Sequence, residues 1–320
     1  MKKNHTKRNH FLPILYLKGF ENKKAELWCY DKQNHKTYCG TSKSLGLENK
    51  LYHPEPPASP NKYEDFLSNK VESPAAPILE ELRNKNFPAD EEKRQSLALF
   101  FVSLLERTPS SIDHSQKQSN DEMSLIAQQL VRKPYGAIEK RFFSEEDYKE
   151  LRKNVLNGKI KISSTRDFVL YNMWLRLGCS FFIARMRWVL VESSSEDFIT
   201  SDNLSTIYTP YYNGGFYGVG FVTAGSRVFI PLSGRLLLMI ANDEKYEDGE
   251  IYDINTSGVS KEEFNETIIA RNILAFDLAQ RFVYGGSDLS LIGIAKCYES
   301  YEQELASLIQ GTERAKDMRL

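Results

Sequence analysis

The chain has 320 residues, with 42 Lys+Arg against 43 Asp+Glu for a formal net charge of −1, and 41% apolar against 27% charged residues. That balance excludes a disordered chain, and no run approaches the roughly 18 consecutive apolar residues of a membrane-spanning helix. The best run, Val228 to Ala241, is cut by Pro231 and Arg235.

Four scattered cysteines, Cys29, Cys39, Cys179 and Cys297, show neither paired ligand spacing nor disulfide-rich density. The basic start is followed by no small-residue cleavage site, so a reducing cytoplasm is the expected setting, with no membrane partner. Charge is uneven: residues 1–50 hold 11 Lys/Arg and 4 Asp/Glu, and four of the five histidines lie within the first 53 residues. A basic arm across residues 2–50 on an acidic body can attract nucleic acid, or it can simply offset the acidic body.

In chain order, Glu26 to Tyr30 and Lys36 to Gly40 flank a polar turn and predict a hairpin. Pro54 to Pro60 reads as a stiff connector. A helix is predicted from Asn61 to Glu72, interrupted by Pro74 and Pro77. Asp90 caps a helix whose Leu97, Phe100, Phe101, Leu104 and Leu105 form one apolar stripe, ended by Arg107-Thr108-Pro109. Ser110 to Asp121 is polar and predicts a loop.

Ser144-x-x-Asp147, with Phe143 and Tyr148 as a staple, predicts a capped helix. Ser260-x-x-Glu263, with Val259 and Phe264, repeats the device at the start of a long helix ending near Gly285-Gly286. A further helix begins after Ser164. Arg187 to Glu192, Asp197 to Thr200, Phe216 to Val222, Arg227 to Pro231 and Arg235 to Ala241 predict an antiparallel meander. The fold class is therefore α+β: an antiparallel sheet from the N-terminal hairpin and the meander, a helical middle and a long C-terminal helix. The expected organisation is one domain over 1–320, with a basic segment 1–53, helices 61–185, strands 186–242 and helices 260–312.

Several polar residues are candidates for chemistry. His10 sits in His10-x-x-Pro13-x-x-Tyr16-Leu17-x-x-Phe20 and can be a base, a ligand or a structural donor. Glu64 and Glu72, eight apart and roughly 80° around a helix, can hold a hard cation such as Mg²⁺ or Mn²⁺, or simply face solvent. Arg107 can clamp an anion or interact with a helix C-terminus. Thr200, Ser201, Asp202 and Asn203 can orient a metal, a phosphate or water, or form an Asx-type turn. Asn265 and Asn272 share a helix face, and a buried amide needs a ligand or a loop backbone. The tyrosines from Tyr208 to Tyr217 around Gly214-Gly215 can stack a base or pack on their own sheet.

Taken together, His10…Pro13…Tyr16-Leu17…Phe20, Glu64…Glu72, Arg107-Thr-Pro109, Phe198-Ile-Thr-Ser-Asp-Asn203 and Asn265…Arg281-Phe-Val-Tyr284 resemble a bacterial family called domain of unknown function 4238. Leu204 departs from the proline that the family usually carries there. The resemblance brings no activity; it implies that these scattered polar positions belong to one site.

Two readings follow. In the first, His10, Glu64, Glu72 and Asp202 hold Mg²⁺ or Mn²⁺, Arg107 neutralises charge on phosphorus, and Asn203 positions a scissile phosphodiester, as in a nuclease-type effector of phage defence or bacterial conflict. In the second, the chain is a ligand- or nucleic-acid-binding or regulatory module, and the polar set is a structural network. No Walker loop, dinucleotide fingerprint or His-Glu-x-x-His is present.

Overall fold

A computed structural model describes residues 8–52, 62–194, 197–204, 207–208, 220–253 and 261–317; the side chains at 207–208, 253, 261–267 and 304–317 lie outside that description. The chain opens with strand β1 (Arg8–His10), the short helix α1 (Ile14–Leu17), strands β2 (Leu27–Asp31) and β3 (Lys36–Gly40), and β4 (Leu47–Asn49). β1 pairs antiparallel with β4, placing His10 opposite Leu47. Gly46, just before β4, has φ +68°, and an added Cβ would stand 2.8 Å from Leu17 Cδ1, so only glycine fits this turn.

The helical middle follows the apolar periodicity, with two departures. Helix α2 (Lys62–Phe66) passes through a π-helical turn, Leu67–Glu72, directly into α3 (Ser73–Arg83). The interruption expected at Pro74 and Pro77 does not occur. The wide turn lets the Ser73 amide reach back five residues to Ser68. Pro74 stands in the first turn of α3, where an amide is not required, and both prolines face solvent while Ala75, Ile78, Leu79 and Leu82 are buried.

Helix α4 (Glu91–Glu106) is capped by Asp90 through Lys93 N and buries its whole predicted stripe. The loop expected at Ser110 to Asp121 is instead part of α5 (Pro109–Val131). Pro109, read as a terminator, also occupies the first helical position, with Thr108 Oγ1 accepting from Ser111 N at 3.2 Å. Ile112, Ser115 and Ser119 are buried, so this polar helix is held by one face.

Ser144 caps α6 (Glu145–Leu156) through Asp147 N, with Phe143 and Tyr148 in ring contact, and Thr165 caps α7 (Arg166–Arg176), which leads into α8 (Ser180–Arg185). Strands β5 (Arg187–Glu192), β6 (Thr200–Ser201), β7 (Ile207–Tyr208), β8 (Arg227–Ser233), β9 (Leu236–Ala241) and β10 (Ile251–Asp253) follow, then α9 (Lys261–Leu278), β11 (Phe282–Gly285) and α10 (Asp288–Asp317). The cap expected at Ser260 and most of the segment Phe216 to Val222 lie outside the described residues, and Asp197 to Ile199 is not strand.

The fold is α+β, but the hairpin and the meander do not share a sheet. Besides the β1–β4 pair, the five-stranded sheet in the order β10-β5-β9-β8-β7 is antiparallel except for the parallel pair β10–β5, and a four-stranded sheet, β3-β2-β11-β6, unites the hairpin with the last strand. Val283 lies opposite Tyr30 on one side and Ser201 on the other. Helix α9 therefore stops at Leu278 instead of running to Gly285, because residues 282–285 complete a sheet begun some 250 positions earlier. The main core joins Phe11, Leu12, Tyr16, Leu17 and Phe20 to helices α3, α4 and α7 and to β5, β8 and β9. No described helix is long and apolar enough to cross a membrane.

Candidate functional site

The candidate residues gather around two polar centres. The first forms where α4 ends. Arg107 caps that helix and is 1% exposed, so its guanidinium must find partners inside the protein. Nη1 donates to Glu72 Oε1 at 2.6 Å, Nη2 to the His10 carbonyl at 2.6 Å, and Nε to the Tyr52 hydroxyl at 3.1 Å. Tyr52 is itself buried, and its hydroxyl stands 3.5 Å from the His10 carbonyl and 3.4 Å from that of Arg107. Burial alone would depress the guanidinium pKa; Tyr52 and Glu72 hold it above its usual range instead.

Next to this cation lies a less satisfied pair. Asn9, buried on β1, donates from Nδ2 to Glu64 Oε2 at 3.2 Å, while its Oδ1 is buried without a hydrogen-bond partner. His10 Nε2 is likewise buried without a hydrogen-bond partner. Burial lowers the pKa of His10, with Arg107 adding to the effect, and burial raises that of Glu64. Both groups are thereby held toward their neutral forms.

The second centre surrounds the C-terminal end of α9. The Asp202 carboxylate accepts from the amides of Gln280 at 2.9 Å, Arg281 at 2.9 Å and Phe282 at 2.8 Å, and its own amide donates to the Phe282 carbonyl. Burial pushes its carboxyl pKa up, against the pull of the three amides. Asn203 Nδ2 donates to the Leu278 carbonyl, and Lys32 Nζ donates to the carbonyls of Phe276, Asp277 and Ala279. These groups satisfy carbonyls that a helix end leaves open. Arg281 in turn pairs with buried Asp31 at 2.9 Å, where three donors from Gln33 and Asn34 complete the carboxylate.

The remaining candidates tie backbone to backbone. Tyr16 OH and Thr200 Oγ1 are 2.9 Å apart, joining α1 to β6. Ser201 Oγ closes a turn with Asn203, and Asn272 pins the segment before β6 by donating to the Asp197 carbonyl and accepting from Ile199 N. The side chain of Asn265, and the tyrosine-rich stretch apart from the backbone of Tyr208, lie outside the described residues.

The expected four-ligand cation site is not assembled. Glu72 is committed to Arg107 and Asp202 to three amides; Arg107, Glu72 and Arg8 act on the charge of His10, and Lys32 acts on that of Asp202. Among the described residues no three His, Cys, Asp or Glu side chains group as metal ligands. Of the basic segment, Lys18, Lys23, Lys24, Lys36, Lys43 and Lys50 are exposed, but Lys32 is committed to a helix end; Lys2, Lys3 and Lys7 lie outside the described residues.

Sequence reasoning missed Asn9, Tyr52, Asp31, Lys32 and Arg83. Arg83 spans three chain segments, donating to the carbonyls of Leu15, Tyr16 and Leu232. Asp31 at the head of Asp31-Lys-Gln-Asn34 carried a turn signal, but nothing in the sequence marked Arg281 as its partner. Tyr52 and Arg83 carried no signal.

Cavities of about 30 Å³ border the two centres, one lined by Tyr52 and Arg107, the other by Thr200, Ser201, Asn203 and Asn272. A groove of about 590 Å³ lies elsewhere, between α5 and residues 155–163. Searches among curated proteins and among solved structures found no match to the chain. The family model described as protein of unknown function DUF4238 matches residues 8–288, both polar centres included, and the chain belongs to that family.

Proposed function

We propose that this protein is a ligand-binding or regulatory module and that its two polar centres are structural locks. One observation carries the reading: the groups best suited to chemistry, the Arg107 guanidinium and the Asp202 carboxylate, are buried and already engaged by three partners each. The bordering cavities are the size of one water molecule, too small for a nucleotide. The groove along α5 is of small-ligand size, and Asp113, Lys117, Asp121 and Lys161 line it with charges of both signs. Ala127, Val155, Ile160 and Ile162 line it too, so it suits a small molecule with both charged and apolar parts.

A second reading, a Mg²⁺- or Mn²⁺-dependent phosphodiesterase of the nuclease type acting in phage defence or bacterial conflict, is favoured by two buried atoms without hydrogen-bond partners, Asn9 Oδ1, on the residue that donates to Glu64, and His10 Nε2, on the next residue of the chain. One experiment separates the two: purified protein is incubated with RNA and with DNA, with and without Mn²⁺, and its melting temperature is recorded in the same buffers. The module reading expects no cleavage and no Mn²⁺-dependent rise in melting temperature. Mn²⁺-dependent cleavage that disappears in a folded His10→Gln variant overturns it.

A further inference from the structure

The groove along α5 owes its second wall to the way α6 ends. Gly158 follows the last turn of α6 with φ +68°; its amide donates to the Val155 carbonyl and that of Lys159 to the Asn154 carbonyl, the pairing that closes a helix on a left-handed glycine. The chain then returns alongside α5 and is fastened there. Ser164 N donates to Asn120 Oδ1 at 2.8 Å, and Gln116 Nε2 donates to the Ser164 carbonyl at 2.9 Å. At the other end Val155 packs with Ala127 and Val131 of α5. Gln116, Asn120, Ala127 and Val155 all border the groove of about 590 Å³. Gln116 and Ala127 are about 16 Å apart along α5 at the rise of a helix, a span that matches a small molecule.

We infer that this groove takes an organic anion with an aliphatic chain, its carboxylate or phosphate drawn to Lys117 and Lys161. The inference rests on the ligand-binding reading above and names the class of ligand. Among the described residues no aromatic ring lines the groove, so a nucleobase has no face to stack on. Val155, Ile160 and Ile162 offer aliphatic carbon instead, which suits an alkyl chain. Charge selects the head group. Of the two carboxylates in the lining, Asp113 is drawn to Arg166 of α7, 3.9 Å away. Asp121 stands one helical turn from Lys117 and can offset only one of the two lysines. Lys117 comes from α5 and Lys161 from the returning segment, and among the described residues neither is in an ion pair. The groove thus keeps an excess of positive charge supplied from both walls, and an anion between them would draw the walls together.

Calorimetric titration of the full chain with octanoate, octyl phosphate and octylammonium tests the class at constant chain length. Saturable binding of either anion is expected, and the tighter of the two identifies the head group; octylammonium is expected not to bind. The double variant Lys117→Gln/Lys161→Gln should weaken anion binding about tenfold, the sum of two exposed charge contacts. Ile160→Asn should weaken it as well by removing part of the aliphatic wall. These three positions are exposed, so the variants keep the fold, and Lys140→Gln, outside the groove, should leave binding unchanged. Failure of both anions to bind, octylammonium binding as tightly as the anions, or an unchanged affinity in the double variant overturns the inference. Binding of octylammonium alone would do so while leaving the ligand-binding module standing. Mn²⁺-dependent cleavage in the preceding experiment would instead reject that module, whatever these probes do.

Discussion

The two polar centres hold the same N-terminal segment with opposite charges. Around Arg107 a buried cation collects acceptors: a carboxylate, a hydroxyl and the His10 carbonyl. Around Asp202 a buried anion collects donors, three consecutive amides where α9 gives way to β11. The cation joins three chain segments through one rigid planar fork, so its loss leaves several partners unmet at once. The anion organises one local turn and leans on Asn203 and Lys32 to finish it. The first centre is thus a hub, and the second is a clasp with several independent fasteners.

That contrast ranks the variants. Arg107→Ala is expected to cost about 4 kcal/mol in urea unfolding, because buried Tyr52, the His10 carbonyl and partly buried Glu72 all lose their cation; Arg107→Lys recovers little, since an ammonium cannot span the same three acceptors. A loss below that of Asp202→Ala would reverse the ranking. Asp202→Ala is expected to cost about 2–3 kcal/mol, the three amides being left without an acceptor while Asn203 and Lys32 keep the end of α9 in place. Lys32→Met should cost about 1 kcal/mol, and hydrogen exchange should show it as fraying of the last turn of α9 with the Arg107 region unchanged.

The smallest effect is in pH dependence, and it belongs to the first centre. His10 has a lowered pKa, so its stabilising contribution is intact above 6.5 and is lost as pH falls through 6.5 toward the folded value, because the unfolded chain takes up the proton first. Glu64 has a raised pKa, so its contribution is fully present below 4.5 and is lost as pH rises through its folded value. Melting temperatures of His10→Gln and Glu64→Gln from pH 4 to 8 should therefore depart from wild type in opposite directions. Departures of the same sign would show that the two groups do not titrate in the surroundings described.

Much of the architecture was legible because it depends on neighbours in the chain. The hairpin at 27–40, the capped helices after Asp90 and Ser144, the helix after Ser164, and the apolar stripe from Leu97 to Leu105 rest on periodicity and capping, which act over a few residues. The errors arose where a local signal had two meanings. Pro109 stops one helix and begins the next, and Pro74 and Pro77 are tolerated because a π turn and a solvent-facing position remove their usual cost. Among the site residues, His10, Glu72 and Arg107 do meet, but Asp202 serves a different centre.

By itself the sequence determined the mixture of helix and strand, most helix starts, the apolar faces and the list of polar residues that need partners, since each follows from the chemistry of adjacent side chains. Only the tertiary structure decided which partners they received. Asp31 meets Arg281 across 250 positions, and β11 joins β2 where a continuing helix had been expected. Such pairings are chosen by the burial and hydrogen-bond satisfaction of the whole fold, and no local pattern encodes the distance between them.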